Sequence, residues 1–246
     1  MKTSDNTILI TGAASGIGLE IAKLFSAKHN KVLMVDRNTD RLQAEATNLP
    51  NAVALTADLT VATDISQLLQ TLQLEHRDLN VAVLNAGVAH AYALYSPEYD
   101  AEYAKAEIET NYLANVRLTQ ALEPLLNTKM EAALVLTTSG LAFAPNLLYP
   151  TYSVTKAALH AFAVASRLAL KRKGSPIKVF DLMPPLTETP LAKGLDAPKM
   201  TAAAVAAWFI NSFEKDELEI RVGATEEVYQ LFLKSPDAAL QAVNGG

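Results

Sequence analysis

The sequence contains no cysteine among its 246 residues. Disulfide bonds, thiolate catalysis and cysteine-ligated metal sites are therefore excluded, and nothing indicates an oxidising compartment. We expect a cytoplasmic protein on that ground. His90 and His160 have no ligand partners at metal spacing, so they are interpreted as structural or surface residues and no metal is predicted.

The sequence also lacks a basic stripe and a long apolar run near its start. Its 26 acidic and 21 basic side chains are scattered along the chain and leave a formal net charge of -5. Nucleic-acid binding needs clustered positive charge, so we expect no nucleic-acid partner. The segment before Gly12 is too short, and too soon broken by glycine, for a signal peptide or a membrane span. We therefore expect no membrane partner.

What is present is an alternation of short apolar runs and longer stretches at helical spacing. Half of the residues are apolar, which suits one large α/β domain over residues 1–246 better than two small ones. The alternation predicts a single doubly wound parallel sheet of the Rossmann type, with helices on both faces. The predicted strands are Thr7 to Thr11, Lys31 to Val35, Val53 to Thr56, Val81 to Leu84, Ala133 to Thr138 and Ile177 to Leu182. A Pro-, Thr- and Gly-rich segment at about 184–200 is predicted to be a substrate lid.

A glycine-rich turn, TGAASGIG, follows the first predicted strand and leads into a helix. Gly12, Gly16 and Gly18 leave space for a phosphate to approach backbone N–H groups at the positive helix end. The spacing differs from the G-x-G-x-x-G pattern of other dinucleotide folds, so the position between strand and helix carries the prediction. The alternative is an ordinary tight turn.

An acidic residue, Asp36, ends the second predicted strand eighteen residues after Gly18. A carboxylate there accepts hydrogen bonds from the adenosine ribose hydroxyls and repels a 2′-phosphate, which favours NAD over NADP. Ser15 occupies a place in the turn where a basic residue would have favoured NADP, whereas Arg37 offers a partner to a 2′-phosphate. The alternative is that Asp36 only caps the next helix.

Further polar residues follow the third and fourth predicted strands. Asp58 comes after the third, and Asn85-Ala86-Gly87 comes after the fourth. The carboxyl ends of neighbouring parallel strands line a ligand crevice, so these residues are predicted to contact the cofactor. Each taken singly is an ordinary turn residue.

Tyr152 and Lys156 lie four residues apart in a helical stretch, and therefore on one helix face. A cation about 4 Å from the phenol, at an effective dielectric of about 20, contributes about 4 kcal/mol and brings a pKa of about 10 toward about 7. Such a phenol acts as an acid or base beside a hydride-transferring nicotinamide. Ser139, at the end of the fifth predicted strand, is placed to steady the substrate oxygen. The alternatives are a half-buried ring beside a snorkelling lysine, and a turn serine.

Several of these segments resemble, in order and spacing, the short-chain dehydrogenase/reductase family over nearly the whole chain. They are TGAASGIG, Asp58, Asn85 to Gly87, Asn111, Ser139 and the YSVTK that begins at Tyr152. The resemblance implies that Tyr152 is the general acid/base, that Lys156 lowers its pKa and binds the nicotinamide ribose, and that Ser139 positions the carbonyl. It implies that Asn111 helps to hold a proton-relay water. Without the resemblance, Asn111 would be interpreted as a surface or bend residue in a helix from Tyr103 to Leu126.

The sequence departs from the family pattern in two places. Leu84 replaces the first asparagine of Asn-Asn-Ala-Gly, and Pro185 replaces the glycine of Pro-Gly-x-x-x-Thr, where Thr187 and Thr189 match the nicotinamide contacts. The Pro-Pro variant resembles a subgroup associated with D-alanine transfer, which says little about substrate. The predicted cofactor contacts are Gly12, Ser15, Gly16, Ile17, Gly18, Asp36, Arg37, Asp58, Leu59, Asn85, Ala86, Gly87, Tyr152, Lys156, Thr187 and Thr189.

The predicted function is reversible hydride transfer between NAD(H) and a small-molecule alcohol or carbonyl substrate. The alternative is a non-catalytic dinucleotide-binding redox sensor or accessory protein, which has no need of the complete Asn-Ser-Tyr-Lys set. The resemblance also implies a homodimer or homotetramer. A set of apolar and aromatic residues is predicted to form either a substrate pocket or part of the core or an interface: Ala142, Phe143, Leu147, Leu148, Leu191, Tyr92 and Tyr95.

Overall fold

The computed structural model describes residues 1–96 and 100–245. It contains a central sheet of seven strands, all parallel to their neighbours, and this confirms the predicted fold class. In chain order the strands are β1 (Thr7–Thr11), β2 (Lys31–Asp36), β3 (Ala52–Thr56), β4 (Val81–Leu84), β5 (Ala132–Thr137), β6 (Ile177–Met183) and, after two short strands outside this sheet, β9 (Glu219–Arg221). The two short strands, β7 (Thr187–Glu188) and β8 (Met200–Thr201), pair with each other.

Helices cover both faces of the sheet. They are α1 (Gly16–Ala27), α2 (Thr39–Thr47), α3 (Ala62–Glu75), α4 (Ala101–Glu107), α5 (Ala114–Leu126), α6 (Pro150–Arg172), α7 (Ala202–Glu214), α8 (Ala224–Lys234) and α9 (Pro236–Asn244). One apolar cluster joins the sheet to Phe25 and Phe209, and a second joins its other face to Leu118 and Leu159. The strands are apolar throughout because both of their faces are buried in this way.

The strand order is β3-β2-β1-β4-β5-β6-β9. Successive strands are added toward one edge of the sheet from β1 to β3 and toward the other edge from β4 onward, so the order of addition reverses between β1 and β4. Parallel sheets open a crevice at such a reversal, outside the carboxyl ends of the strands. The loops after β1, β2, β4, β5 and β6 all meet at this edge of the sheet. Within the described residues, no helix is long and apolar enough to cross a membrane.

The six predicted strands are all present, with ends that shift by a residue or so. β9 was not predicted, because its three residues are too few to show a hydrophobic periodicity. The segment predicted to be a lid contains the two-residue strand β7 and a short 3₁₀ turn, Pro190–Ala192, and it ends at β8. Its movement over a substrate remains a prediction.

Candidate active site

The glycine-rich turn packs backbone against backbone on the loop that follows β4. Gly12 has a φ of +66°, and a Cβ there would lie 2.9 Å from the Cα of Ala86. A Cβ on Gly18 would overlap the carbonyl oxygen of Gly12. Ser15 is the N-cap residue of α1, and among the described residues its side chain finds no backbone N–H to cap. The first N–H groups of α1 are therefore left to bind an anion, which fits a dinucleotide pyrophosphate.

The loop after β4 is tied to the end of β1 and reaches the predicted catalytic residues. Thr11 Oγ1 accepts from the backbone N–H groups of Asn85 and Ala86 at 2.9 and 3.1 Å. A Cβ on Gly87 would lie 3.2 Å from Asn111 Oδ1 and 3.7 Å from Lys156 Nζ. The structure thus brings the predicted cofactor loop and the predicted catalytic residues into contact.

Asp36 faces the glycine-rich turn. Its Oδ2 accepts from the backbone N–H of Ala14 at 3.2 Å, and its Oδ1 accepts from that of Asn38 at 3.0 Å. The N-cap of α2 is Asn38, whose side chain accepts from Arg41 N, so the alternative that Asp36 caps this helix is wrong. Asp36 remains available at the crevice edge.

Asp58 lies in the next loop along the same edge. Burial raises the pKa of Asp58, but hydrogen bonds from Thr60 and the charge of Arg37 outweigh burial and hold the pKa below its usual value. Thr60 donates to Asp58 Oδ1 from its backbone N–H at 2.9 Å and from its hydroxyl at 2.7 Å. The carboxylate is therefore ionised at neutral pH, and it partly offsets the charge of Arg37.

The loop after β6 crosses to the glycine-rich turn. Thr187 donates from its hydroxyl to Pro185 O at 2.7 Å, and Thr189 donates to Thr187 O at 3.4 Å. A Cβ on Gly16 would lie 2.9 Å from Thr189 Cγ2. Thr189 therefore lies beside the predicted cofactor crevice despite the Pro-Pro sequence, and its hydroxyl links it to Thr187.

The four predicted catalytic residues come together at the carboxyl ends of β4 and β5. Lys156 is buried, with Nζ 5.4 Å from the ring centroid of Tyr152 and 2.7 Å from Thr137 O, to which it donates. Ser139 hydrogen-bonds the Tyr152 side chain. Asn111 Oδ1 accepts from Val88 N at 2.8 Å, so the asparagine is held against the loop after β4.

Asn111 lies in a π-helical turn, Ile108–Leu113, that separates α4 from α5. The sequence predicted one unbroken helix here. Nδ2 of the fully buried Asn111 donates to Val88 O at 2.9 Å and to Thr155 Oγ1 at 3.1 Å. Single π turns are frequent at functional sites because they redirect a side chain without ending the helix. Nothing in the hydrophobic period marks this turn.

The electrostatics of the pair differ from the sequence prediction. Burial raises the pKa of Tyr152 to about 12, an effect that the Ser139 hydrogen bond opposes and the charge of Glu107 increases. Burial also lowers the pKa of Lys156 to about 8, against the opposing charge of Asp181. The predicted lowering of the Tyr152 pKa by Lys156 is therefore wrong, because the ammonium faces the ring and the Thr137 carbonyl. At neutral pH the phenol is protonated.

Two histidines pair with buried carboxylates that the sequence analysis missed. His160 Nδ1 lies 2.6 Å from Asp181 Oδ2, and Thr138 donates to Asp181 Oδ1 at 2.5 Å. His90 Nδ1 lies 3.2 Å from Glu107 Oε1. The available signal was a charged residue, Asp181, between the apolar residues Phe180 and Leu182 of a buried strand. Among the described residues, no group of three possible ligands could hold a metal ion.

We expect His160→Gln to lower the free energy of unfolding by about 2 to 3 kcal/mol at pH 6. This loss is smaller than that expected on breaking a fully buried pair, because about a quarter of the His160 side chain is exposed. The hydrogen bond to Asp181 raises the pKa of His160. The stabilisation is present below the unfolded pKa of about 6.5 and is lost as pH rises through the higher native value. Urea unfolding of parent and variant should therefore show a smaller difference at pH 9 than at pH 6.

The control for this prediction is His29→Asn, which removes an exposed histidine at a positive φ that asparagine tolerates. Among the described residues its ring makes no ion pair, so this variant gives the baseline for the comparison. A His160→Gln difference that is equal at pH 6 and pH 9 would contradict the prediction.

The residues predicted to form a pocket, core or interface differ in their exposure to solvent. Phe143 packs its ring against His160 and Tyr229, with centroids 5.2 and 4.8 Å apart, so it belongs to the packing between α6 and α8. Of the remaining residues in this set, four are well exposed to solvent, namely Leu147, Leu148, Leu191 and Tyr95. The backbone N–H of Tyr92 donates to Leu148 O at 3.0 Å, which ties these two segments together.

A known protein family and several known proteins are similar to this chain. The model of a family described as short chain dehydrogenase matches residues 6–199. A Bacillus subtilis (strain 168) protein named Uncharacterized oxidoreductase DltE is 34% identical over 226 residues, which cover 89% of each chain. The Serine 3-dehydrogenase of Agrobacterium fabrum is 33% identical over 184 residues, covering 74% of this chain and 72% of the relative.

A solved structure shares the fold over nearly its whole length. The short-chain dehydrogenase from Sphingobium yanoikuyae, in complex with NADPH, matches with a TM-score of 0.81 at 27% identity and covers 95% of each chain. The family match over residues 6–199 includes the glycine-rich turn, the loop after β4 and the Tyr152–Lys156 helix.

Proposed function

Because the chain belongs to the short-chain dehydrogenase family, an oxidoreductase family with nicotinamide dinucleotide-bound members, we propose that it transfers hydride between NAD(H) and a secondary alcohol or carbonyl compound. The observation that carries the proposal is the convergence of Asn111, Ser139, Tyr152 and Lys156 beside the glycine-rich turn. The dinucleotide would be held by the α1 N-terminus, Asp36 and the loop after β4, and it supplies or accepts the hydride.

Tyr152 is proposed to be the general acid/base. In the reductive direction, hydride adds to the carbonyl carbon while the protonated phenol gives its proton to the carbonyl oxygen, and the product is an alcohol. The raised pKa of Tyr152 supports this direction at neutral pH, since the proton is in place before the substrate arrives. Ser139 is proposed to orient the carbonyl oxygen through its hydroxyl.

Lys156 and Asn111 are proposed to support that proton transfer. The buried ammonium of Lys156 donates to Thr137 O, and we propose that its remaining N–H groups bind the nicotinamide ribose and so keep the dinucleotide beside Tyr152. Asn111 joins the loop after β4 to Thr155 on the helix of Tyr152. A sensor that only binds dinucleotide has no need of the complete Asn-Ser-Tyr-Lys set, which lies together at this site. We therefore favour the enzyme over a redox sensor or accessory protein.

NAD is the proposed preference over NADP. Asp36 supports it, since a carboxylate at the end of β2 accepts from ribose hydroxyls and repels a 2′-phosphate. Arg37 opposes it, since its side chain offers a partner to a 2′-phosphate. A homo-oligomer, a cytoplasmic location and a mobile segment at about 184–200 are further parts of this proposal, and they rest on the family likeness and the cysteine-free sequence.

We expect Asp36→Asn to lower the ratio of kcat/KM for NAD to that for NADP by at least about tenfold. The substitution removes a charged acceptor, whose hydrogen bonds contribute roughly 1.5 to 3 kcal/mol each, while an amide oxygen remains to accept from Ala14 N. Initial rates with both dinucleotides measure the ratio. Asp40→Asn, at an exposed site in α2, is the control and should leave the ratio unchanged. An unchanged ratio in Asp36→Asn would refute the proposed role of Asp36.

The experiment that tests the function itself is a screen of ketones, aldehydes and secondary alcohols with NAD(H) and NADP(H) in parallel, followed by nicotinamide absorbance. The expected result is turnover of at least one carbonyl–alcohol pair in both directions. Dinucleotide binding in calorimetry without turnover of any pair would favour the sensor.

A further inference from the structure

Glu107 is a buried carboxylate that the proposed chemistry does not use. It is the last residue of α4, and its side chain is fully buried. Its Oε1 accepts from the backbone N–H of His90 at 2.7 Å and faces the His90 ring at 3.2 Å. Its Oε2 is also buried and has no hydrogen-bond partner within the described part of the chain. An ionised carboxylate can only accept, and an unpaired buried oxygen is costly.

The position of Glu107 places this oxygen beside the catalytic cluster. Glu107 lies one helical turn before Asn111, and His90 lies two residues after Val88, which hydrogen-bonds Asn111. The charge of Glu107 is near enough to raise the pKa of Tyr152. Both observations place the carboxylate beside the residues that would surround the substrate oxygen.

We propose that Glu107 binds a protonated amine of the substrate, so that the substrate class is amino alcohols and the corresponding amino ketones. This inference rests on the hydride transfer proposed above. A cation is favoured over a neutral donor because it neutralises the buried charge as well as supplying the N–H, and such charge-assisted bonds are the stronger ones. Lys156 is not that partner, because Glu107 Oε2 has no hydrogen-bond partner within the described part of the chain, whereas Lys156 Nζ donates to Thr137 O.

A consequence concerns the acid/base residue. Glu107 disfavours the phenolate of Tyr152, and an ammonium bound at Glu107 offsets that charge. A substrate with an amine would therefore ease proton exchange at Tyr152, whereas one without it would leave the repulsion in place. Selectivity would then appear in the chemical step as well as in binding.

The test compares 1-amino-2-propanol with 2-butanol, in which a methyl group replaces the ammonium. An alkylamine is protonated at pH 7. The proteins are the parent, Glu107→Gln and the control Glu109→Gln, whose glutamate pairs with Arg117 on the partly exposed side of the same helical segment. Calorimetry on NADH-saturated protein measures alcohol binding without turnover, and initial rates with NAD and NADP measure kcat/KM.

We expect the parent and Glu109→Gln to favour the amino alcohol at least tenfold in binding. Glu107→Gln should lose that preference while its affinity for 2-butanol stays within threefold and its melting temperature stays near that of the parent. A parent with no preference for the amine overturns the inference, even if Glu107→Gln does not fold. A parent that prefers 1,2-propanediol to the amino alcohol overturns it too, because the group recognised is then a neutral donor.

The two proposals fail in different ways. If 2-butanol is oxidised but the amine preference is absent or independent of Glu107, the substrate inference is wrong and the hydride transfer stands. If the amine binds through Glu107 but neither alcohol nor any carbonyl in the wider screen is turned over, the binding site stands and the proposed function is wrong.

Discussion

Replacing Tyr152 with phenylalanine should lower kcat by about 10³-fold, within the roughly 10²- to 10⁴-fold contribution of a positioned general acid/base. The substitution removes only the hydroxyl and keeps the ring that Lys156 Nζ approaches at 5.4 Å from the centroid. The lost hydrogen bond to Ser139 costs about 1 kcal/mol, so the folded structure survives. The measurements are single-turnover rates with a substrate identified by the screen, together with dinucleotide affinity from calorimetry.

The matched control is Tyr149→Phe, three residues earlier at the N-cap of α6. Its ring centroid lies 6.4 Å from that of Tyr152, so the same atom is removed from a neighbouring ring. We expect its kcat to stay within about threefold of the parent and both variants to bind dinucleotide like the parent. A Tyr152→Phe variant that turns substrate over at the rate of the parent would remove the proposed acid/base.

Much of the site can be predicted from sequence because a parallel sheet brings chain-distant residues to one edge. The glycine-rich turn and Asn85 each follow a strand with a clear apolar run, Asp36 is the last residue of another such strand, and these strand ends place them together. Tyr152 and Lys156 share a helix face through their spacing, which holds in any regular helix. Strand ends and shared helix faces follow from hydrophobic periodicity and residue spacing, and these features can therefore be predicted from the sequence.

The electrostatic environment could not be predicted in the same way. The spacing of Tyr152 and Lys156 predicts proximity, but whether the ammonium meets the hydroxyl or the ring depends on the Thr137 carbonyl, which β5 supplies from elsewhere in the chain. The carboxylates of Glu107 and Asp181 act on this pair from a helix and a strand that are distant in sequence. The π turn at Asn111 is equally hidden, because it leaves the apolar pattern of the flanking helices unchanged.

The second large effect is expected from Gly18→Ala. Gly18 lies in the first turn of α1 at a negative φ, where alanine is the better helix former by about 1 kcal/mol. Intrinsic propensity therefore predicts stabilisation. The added Cβ, however, would overlap the carbonyl oxygen of Gly12 and lie 2.7 Å from Asn85 Nδ2. The backbone must move to accommodate the added Cβ, and overpacking of this kind lowers the free energy of unfolding by about 1 to 3 kcal/mol.

The sign of the stability change thus decides between propensity and packing. We expect the melting temperature to fall by several degrees, at about 2 to 4 °C per kcal/mol for a chain of this size. Dinucleotide binding should weaken by at least about tenfold, because a shift of the turn misaligns charge-assisted bonds from the N–H groups to the pyrophosphate. Thermal unfolding and calorimetry with NAD measure the two effects.

Gly174→Ala is the control for this substitution, since it adds the same atom at a site with nothing within 4 Å of the new Cβ. Gly174 has a φ of +66°, so alanine there should cost about 1 kcal/mol through backbone strain alone. It should leave NAD affinity unchanged, because it follows the far end of α6. If Gly18→Ala instead raised the melting temperature and bound NAD as the parent does, the close packing of the turn against Gly12 and Asn85 could not be what shapes a pyrophosphate site.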